Sequence, residues 1–422
     1  MMKKILTLIA CFSVLFSLCS AAVGCTPEEA SETASLSDEE ILEARRETVV
    51  QAMREKIEFL WRVDEDITYS KAGPSSGPAD SDSDRITLVK GRIYRGLPYT
   101  HGGGSLESFM TYASEPDEKG VYTISGLGSE DLSGNPGDTG FNRARISSDC
   151  NTTLFWSWGK VANSISFTWT REMTEATGCI KVGEYDAPTD IYTNTRTTCQ
   201  ENGLEVMCAA YAKLQKGDAA VYYVKGSGGH TVMIAEAHPV KKMGIIDPDE
   251  SYVLIHDQPS VNMSGTSFYY DENLGENVYL CGRTDEKMTF RFLYGKGYLP
   301  ITCKELIDPS PASEPAVRDS ISEHTEETIF TGVFSSDYRI SHVIIRIEDA
   351  KGTTVQQLTG YAMQSELKRF RLGRLNDVSE QDVLQGNIDI GALPPGKYRC
   401  THTAVISTGE AFTVRDFEIV VK

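Results

Sequence analysis

Cys150 stands in the run Ser147-Ser148-Asp149-Cys150-Asn151-Thr152, just ahead of Leu154, Phe155, Trp156 and Trp158. A nucleophilic cysteine needs a base to take its proton and a helix start to favour its thiolate. The apolar residues after Cys150 suit the buried face of a helix, which puts the thiol at the N-terminal end, where the helix dipole favours negative charge. A buried structural cysteine is the other reading of the same run. His230 is the candidate base: it follows Gly226-Ser227-Gly228-Gly229 and opens an apolar strand over 231–235, a position suited to the mouth of a cleft. Lys216-Gly217-Asp218 makes the turn into the preceding strand, 219–224. His256, ending a strand over 252–256, is the candidate orienter, because an imidazole base needs a partner on its second nitrogen. Asp257 and Gln258 stand beside it as substitutes.

These residues must be carried by a sizeable protein. The chain has 422 residues with 40% hydrophobic and 24% charged residues, a globular composition with room for two or three domains. With 41 basic and 60 acidic residues the net charge is −19, which makes it a poor general binder of nucleic acid. At the N-terminus, Lys3 and Lys4 precede an apolar run over 5–18, then small residues, then Cys25. That pattern reads as a signal peptide over 1–24. Ala22-Val23-Gly24-Cys25 resembles a bacterial lipobox, which implies that Cys25 is lipidated and that the protein sits outside the cytoplasm, anchored to the bacterial cell membrane. No other apolar run approaches the ~18 residues that a span requires.

Beyond a polar tether over 25–36, Ser37-Asp38-Glu39-Glu40 forms a capping box. Apolar residues at helical spacing then predict an amphipathic helix over 37–63. A Gly/Pro/Ser/Asp linker occupies 64–85. Its Asp80, Asp82 and Asp84 open like a calcium loop, but the glycine and closing glutamate of such a loop are missing. The mixed region 86–306 carries strand signals over 219–224, 231–235, 252–256 and 289–293. After a Pro/Ser linker over 307–315, regularly spaced strand signals fill 316–422, at 328–334, 342–348, 354–358, 367–372, 398–407 and 412–421. Their turn punctuation predicts a β-sandwich. Residues 393–398 resemble the late hairpin of immunoglobulin-like modules.

The order of Cys150, then His230 after K-G-D, then His256 is similar to that of NlpC-type cell-wall peptidases. Tyr94-Arg95-Gly96-Leu97-Pro98-Tyr99-Thr100-His101-Gly102-Gly103 resembles that family's G-x-P-Y-x-W-G-G segment, and Asp149-Cys150-Asn151-Thr152 its D-C-S-G. The resemblance covers 86–303. It implies an α+β papain-like catalytic domain, followed here by the all-β immunoglobulin-like sandwich. It also implies a cysteine peptidase or amidase acting on peptidoglycan stem peptides without a cofactor or metal. Cys150 would be the nucleophile, His230 the base and His256 the third polar residue. Tyr99 would lie near the oxyanion and substrate, and Asp149 near the free amine of the stem peptide. His101 replaces the family's Trp, and Asn151-Thr152 replaces Ser-Gly. These departures support an alternative, a non-catalytic surface lipoprotein that uses a degenerate papain-like domain as a binding module. Of ten cysteines, six remain after the signal peptide, Cys25 and Cys150 are set aside. An exported location permits disulfides among them, with connectivity open.

Overall fold

Asp38, Glu39 and Glu40 place three carboxylates in the first turn of α1 (Asp38–Glu58), where the helix dipole stabilises them. Val49, Met53 and Ile57 recur every fourth residue along its buried face. Each contributes about 2 kcal/mol by burial. The computed structural model describes residues 36–70, 85–100, 105–133, 146–165, 170–173, 178–188, 193–259, 267–310, 313–361, 369–372 and 383–422. Residues Met1–Ser37 and Asp38–Lys422 group as two separate units, and the elements below belong to the second.

After α1 come β1 (Leu60–Val63), β2 (Ile67–Ser70), β3 (Arg85–Leu88), β4 (Ile93–Arg95), α2 (Leu106–Met110), β5 (Val121–Ile124) and α3 (Ser129–Ser133). The helix that begins at the candidate nucleophile is α4 (Cys150–Trp158). Then follow β6 (Cys179–Lys181), α5 (Thr195–Asn202), α6 (Leu204–Tyr211), β7 (Ala219–Val224), β8 (Gly228–His238), β9 (Lys241–Lys242), β10 (Ile245–Ile246) and β11 (Tyr252–Asp257). Next are β12 (Phe268–Asp271), β13 (Glu276–Leu280), β14 (Arg283–Thr289), α7 (Phe290–Lys296) and β15 (Leu299–Cys303). The remaining strands are β16 (Val317–Asp319), β17 (Val333–Ser336), β18 (Ile340–Glu348), β19 (Thr354–Tyr361), β20 (Arg369–Arg371), β21 (Val383–Asn387), β22 (Gly396–Ile406) and β23 (Ala411–Val421).

The sheet that carries the candidate site runs β14-β11-β8-β7-β15-β6 and is antiparallel throughout. Helices α1 and α4 pack together, and their apolar residues share one core with this sheet, including Met53, Leu154, Trp158, Val221, Val232 and Ile255. A second sheet, β12-β13-β4-β1-β5, holds the segment that leads to Tyr99. Toward the C-terminus, the three-stranded β16-β17-β20 and the five-stranded β21-β19-β18-β22-β23 bury a core of their own around Phe334, Ile345, Phe370 and Cys400.

The expected class, an α+β papain-like domain followed by an immunoglobulin-like sandwich, is corrected by this architecture. Among the described residues twenty-three strands stand against seven α-helices, and the strands are dispersed over six sheets, all but the site sheet having five strands or fewer. The chain is mostly β, built from several small sheets. Part of the reason is local. The helix expected over 37–63 stops at Glu58, and its last residues become β1, which pairs with β4 and β5. The linker expected over 64–85 contributes β2, which pairs with β3. In the opposite direction, the strand signal over 289–293 falls at the start of helix α7, where Thr289 accepts the N–H of Phe292 at 3.1 Å and Gly297, at φ 87°, ends the helix. A short apolar run does not distinguish the two periods, and the caps decide. The signal over 328–334 likewise yields strand only from Val333.

Candidate active site

Asp149 is the N-cap of α4, and its Oδ1 accepts the N–H of Thr152 at 2.8 Å and the Thr152 hydroxyl at 2.9 Å. Cys150 therefore opens the helix with its backbone N–H in the first turn, where helical N–H groups have no partner within the helix. All nine residues of α4 are buried, which holds the nucleophile's element rigidly in the core. Tyr99 is brought alongside by backbone pairing: Ser148 donates to Pro98 at 3.1 Å and Thr100 donates to Ser148 at 3.3 Å. Burial pushes the Tyr99 phenol well above its usual pKa, and the neighbouring Cys150 and Asp149 push it further. Gly96 sets the entry to this segment. At φ +85° it lies so close to α1 that a Cβ would stand 2.8 Å from the Ile57 carbonyl oxygen.

His230 lies on β8 opposite Tyr222 on β7. Its Nε2 is 2.7 Å from Asp257 Oδ2. Asp257 is fully buried and also receives a two-pronged hydrogen bond from Arg283, at 2.9 Å and 2.6 Å. Burial opposes the charged form of His230. The Cys150 sulfur, the Asp257 hydrogen bond and a hydrogen bond with Cys150 outweigh it and raise the imidazole to about 10. Burial also opposes the Asp257 carboxylate, but His230 and Arg283 bring it below the usual range. The structure thus joins Cys150, His230 and Asp257 in one chain of contacts.

His256 does not belong to that chain, and its assignment as orienter is corrected. Consecutive strand residues face opposite ways, so Asp257 turns toward His230 while His256 turns away. The His256 Nδ1 accepts the backbone N–H of Asp285 at 3.3 Å, and burial holds its pKa below the ordinary value. Asp149, expected near a substrate amine, caps the helix with Oδ1.

Several further residues complete the site. Thr231 donates to Asn151 Oδ1 at 2.6 Å, so the residues following the base and the nucleophile are themselves joined. Gln258 accepts from the Thr153 hydroxyl at 2.6 Å and donates to the Leu97 carbonyl at 2.7 Å, which ties β11 to α4 and to the Tyr99 segment. Tyr222 packs its ring edge against Tyr298 at 4.9 Å and stands 6.4 Å from the His230 ring. Gly229 gives the chain clearance beside His230, since a Cβ there would sit 2.2 Å from the Tyr222 carbonyl oxygen. The K-G-D turn works as structure: Asp218 is buried against Arg46 of α1 at 2.9 Å, and Trp158 donates to the Gly217 carbonyl at 2.8 Å. Arg283 carried no signal in sequence. Thr231 and Asn151 carried one only through adjacency to His230 and Cys150.

The seven described cysteines are buried thiols. Among the described residues no three His, Cys, Asp or Glu side chains gather as a metal-binding group, and no helix is long and apolar enough to cross a membrane. The lipobox with Cys25, the acidic loop at Asp80–84, and His101, Gly102 and Gly103 lie outside the described residues.

No family model and no curated protein matches the chain. A solved structure, the tetra-tandem repeat in the extending region of a large adhesion protein, aligns with 48% of this chain at 16% identity and a TM-score of 0.15. The aligned part spans 41% of that chain. So distant a likeness carries no statement about fold or chemistry.

Proposed function

We propose that this protein is a cysteine hydrolase of peptide amide bonds, and that its substrates are peptidoglycan stem peptides. The reading rests on one observation: His230 is held between Cys150 and the buried Asp257 carboxylate, at 2.7 Å from the latter. In this mechanism the Cys150 sulfur, having passed its proton to His230, attacks the amide carbonyl carbon. The backbone N–H of Cys150 at the start of α4 donates to the developing oxyanion. The Tyr99 phenol, kept protonated by its surroundings, supplies a second donor. His230 then delivers its proton to the leaving amine. Water, activated by the neutral imidazole, breaks the thioester, releases the acid and restores the thiol. Asp257 fixes the tautomer and orientation of His230 and stabilises the imidazolium.

The substrate class comes from the segments around Tyr99, Cys150 and His230 that resemble NlpC-type peptidases. The location belongs to the same proposal: acylation of Cys25 would hold the enzyme at the outer face of a bacterial membrane, beside its substrate. The test is to incubate the purified protein with stem peptides released from peptidoglycan and identify products by mass. New amine and acid termini that vanish in Cys150→Ala support the reading. Intact peptides, with Cys150 inert to a thiol-directed alkylating agent at neutral pH, overturn it.

A further inference from the structure

We infer that Cys179 and Cys303 are partners in a cross-strand disulfide that pins the edge strand β6 to the sheet of the candidate site. Cys303 ends β15 and Cys179 begins β6, and the antiparallel register sets the two directly opposite each other. In such a ladder, opposed residues alternate between hydrogen-bonded pairs and closer, non-bonded pairs with Cα atoms about 4.5 Å apart. Val182 donates its N–H to the Pro300 carbonyl at 2.9 Å, which makes Val182 and Pro300 a bonded pair. Counting back along the register, Lys181 and Ile301 are non-bonded, Ile180 and Thr302 bonded, and Cys179 and Cys303 non-bonded. The two Cβ atoms then point to the same face at close range. A disulfide requires Cα atoms about 4.4–6.8 Å apart, a range that a non-bonded pair meets.

The surroundings fit a covalent link. Both side chains are buried in the core shared by α1, α4 and the site sheet. β6 has only three residues and lies at the sheet's edge, paired among the described residues with β15 alone. A short edge strand has few backbone bonds to keep it docked, and a link closing a loop of more than a hundred residues removes much of the freedom of the unfolded chain. β15 in turn pairs with β7, the strand that places Tyr222 against His230. The bond therefore tightens the support behind the base.

The oxidant is a small disulfide. A cavity of about 380 Å³, lined by Ser164, Gly178, Cys179, Ile180, Lys181 and Lys304, opens beside Cys179. Cys303 is fully buried, and burial pushes its thiol well up. Cys179 therefore reacts first. Its thiolate attacks one sulfur of the oxidant, forming a mixed disulfide and releasing one small thiolate. Cys303 then loses its proton and attacks the Cys179 sulfur, forming the cross-strand bond and releasing the second small thiolate. Two protein thiols lose two electrons and two protons, and one small disulfide is reduced to two thiols.

The test is peptide mapping of the purified protein, refolded with oxidised and reduced glutathione or with reductant alone, and digested without reduction. The expected product in the first arm is a crosslinked pair of peptides containing Cys179 and Cys303, absent in the second. The oxidised protein should melt several degrees higher than the reduced one, and that difference should vanish in Cys179→Ser. A map in which both cysteines remain alkylatable after oxidative refolding, or in which either is joined to a different cysteine, overturns the inference. The mapping needs no variant, so a Cys179→Ser chain that fails to fold does not affect it.

Discussion

Replacing Asp257 by Asn separates the two candidate orienters. Asp257 Oδ2 accepts from both His230, at 2.7 Å, and Arg283, at 2.6 Å, while Oδ1 accepts from Arg283 at 2.9 Å. An asparagine has one acceptor oxygen for these donors, so either rotamer sets its amide N–H against a donor. The substitution also removes the charge that stabilises the imidazolium. A hydrogen bond to a charged group contributes about 1.5–3 kcal/mol, which corresponds to a fall of about 10- to 150-fold in kcat/KM. The pH profile carries a second signature. With His230 raised to about 10, the imidazolium persists through neutral pH, and its contribution is lost as the pH rises through that value. In Asp257→Asn the alkaline limb of kcat/KM should move down toward the ordinary imidazole value near 6.5. His256→Asn should leave kcat/KM within about threefold, because that ring meets the Asp285 backbone and not the base. The assay is stem-peptide hydrolysis from pH 5 to 11, with folding checked by circular dichroism. An Asp257→Asn enzyme with the wild-type rate and alkaline limb, alongside an inactive His256→Asn enzyme, refutes the reasoning.

Thr231→Val removes the donor to Asn151 Oδ1 inside the core, a loss of about 1–3 kcal/mol; kcat should fall roughly tenfold with the alkaline limb unmoved, and an unchanged kcat counts against a positioning role. Arg46→Ala strips the cation from the buried Asp218 carboxylate and should destabilise the fold by about 3–5 kcal/mol in urea titrations. His402 is fully buried, and burial lowers its pKa to about 4 despite the hydrogen bond to the Ile329 carbonyl. The unfolded chain therefore takes up its proton first as pH falls through 6.5, and stability should drop by about 3 kcal/mol between pH 6.5 and 4. His402→Gln should flatten that part of the stability profile, and an unchanged slope would assign the acid sensitivity to other groups.

What the sequence disclosed followed from local rules. The helix start at Cys150 was visible because Asp149 is a capping residue placed ahead of a continuous apolar run. The strands of His230 and His256 were visible from their apolar stretches and flanking turn residues, and β7 lies over the residues expected for it. The orienter was misplaced by one residue, and in a strand one residue is the difference between two faces. The register of β11 shifts against β8 between Leu254 and Ile255, and against β14 between Ile255 and Asp257. The extra residue at each irregularity lies on the partner strand, so β11 keeps its own alternation, with Asp257 on the face of Val253 and Ile255; which residue stands opposite is set by strands distant in sequence. Arg283 was illegible for the same reason: only the pairing of β14 with β11 brings its guanidinium to Asp257. The fold class failed on a larger scale. The end of the expected helix becomes β1, which joins β4 of the motif and the later β5 in one small sheet, while the expected linker supplies β2 to another.

The arrangement around Cys150 also explains how a nucleophile on a helix stays in register with a base on a strand. Asn151 is bonded to Thr231 of β8, and Thr153 to Gln258, the residue just beyond β11. Gln258 reaches on to the Leu97 carbonyl, which precedes Tyr99 by two residues. A slide of α4 along the sheet would break these buried hydrogen bonds together, each leaving a donor or acceptor unsatisfied at about 1–3 kcal/mol. The sulfur needs no tether of its own, because the residues after it on the helix fix its approach to His230. Asp257 and Arg283 fix the imidazole from the opposite side. Nucleophile and base are therefore positioned by separate sets of contacts, and loosening one set should lower the rate without disturbing the proton affinity governed by the other.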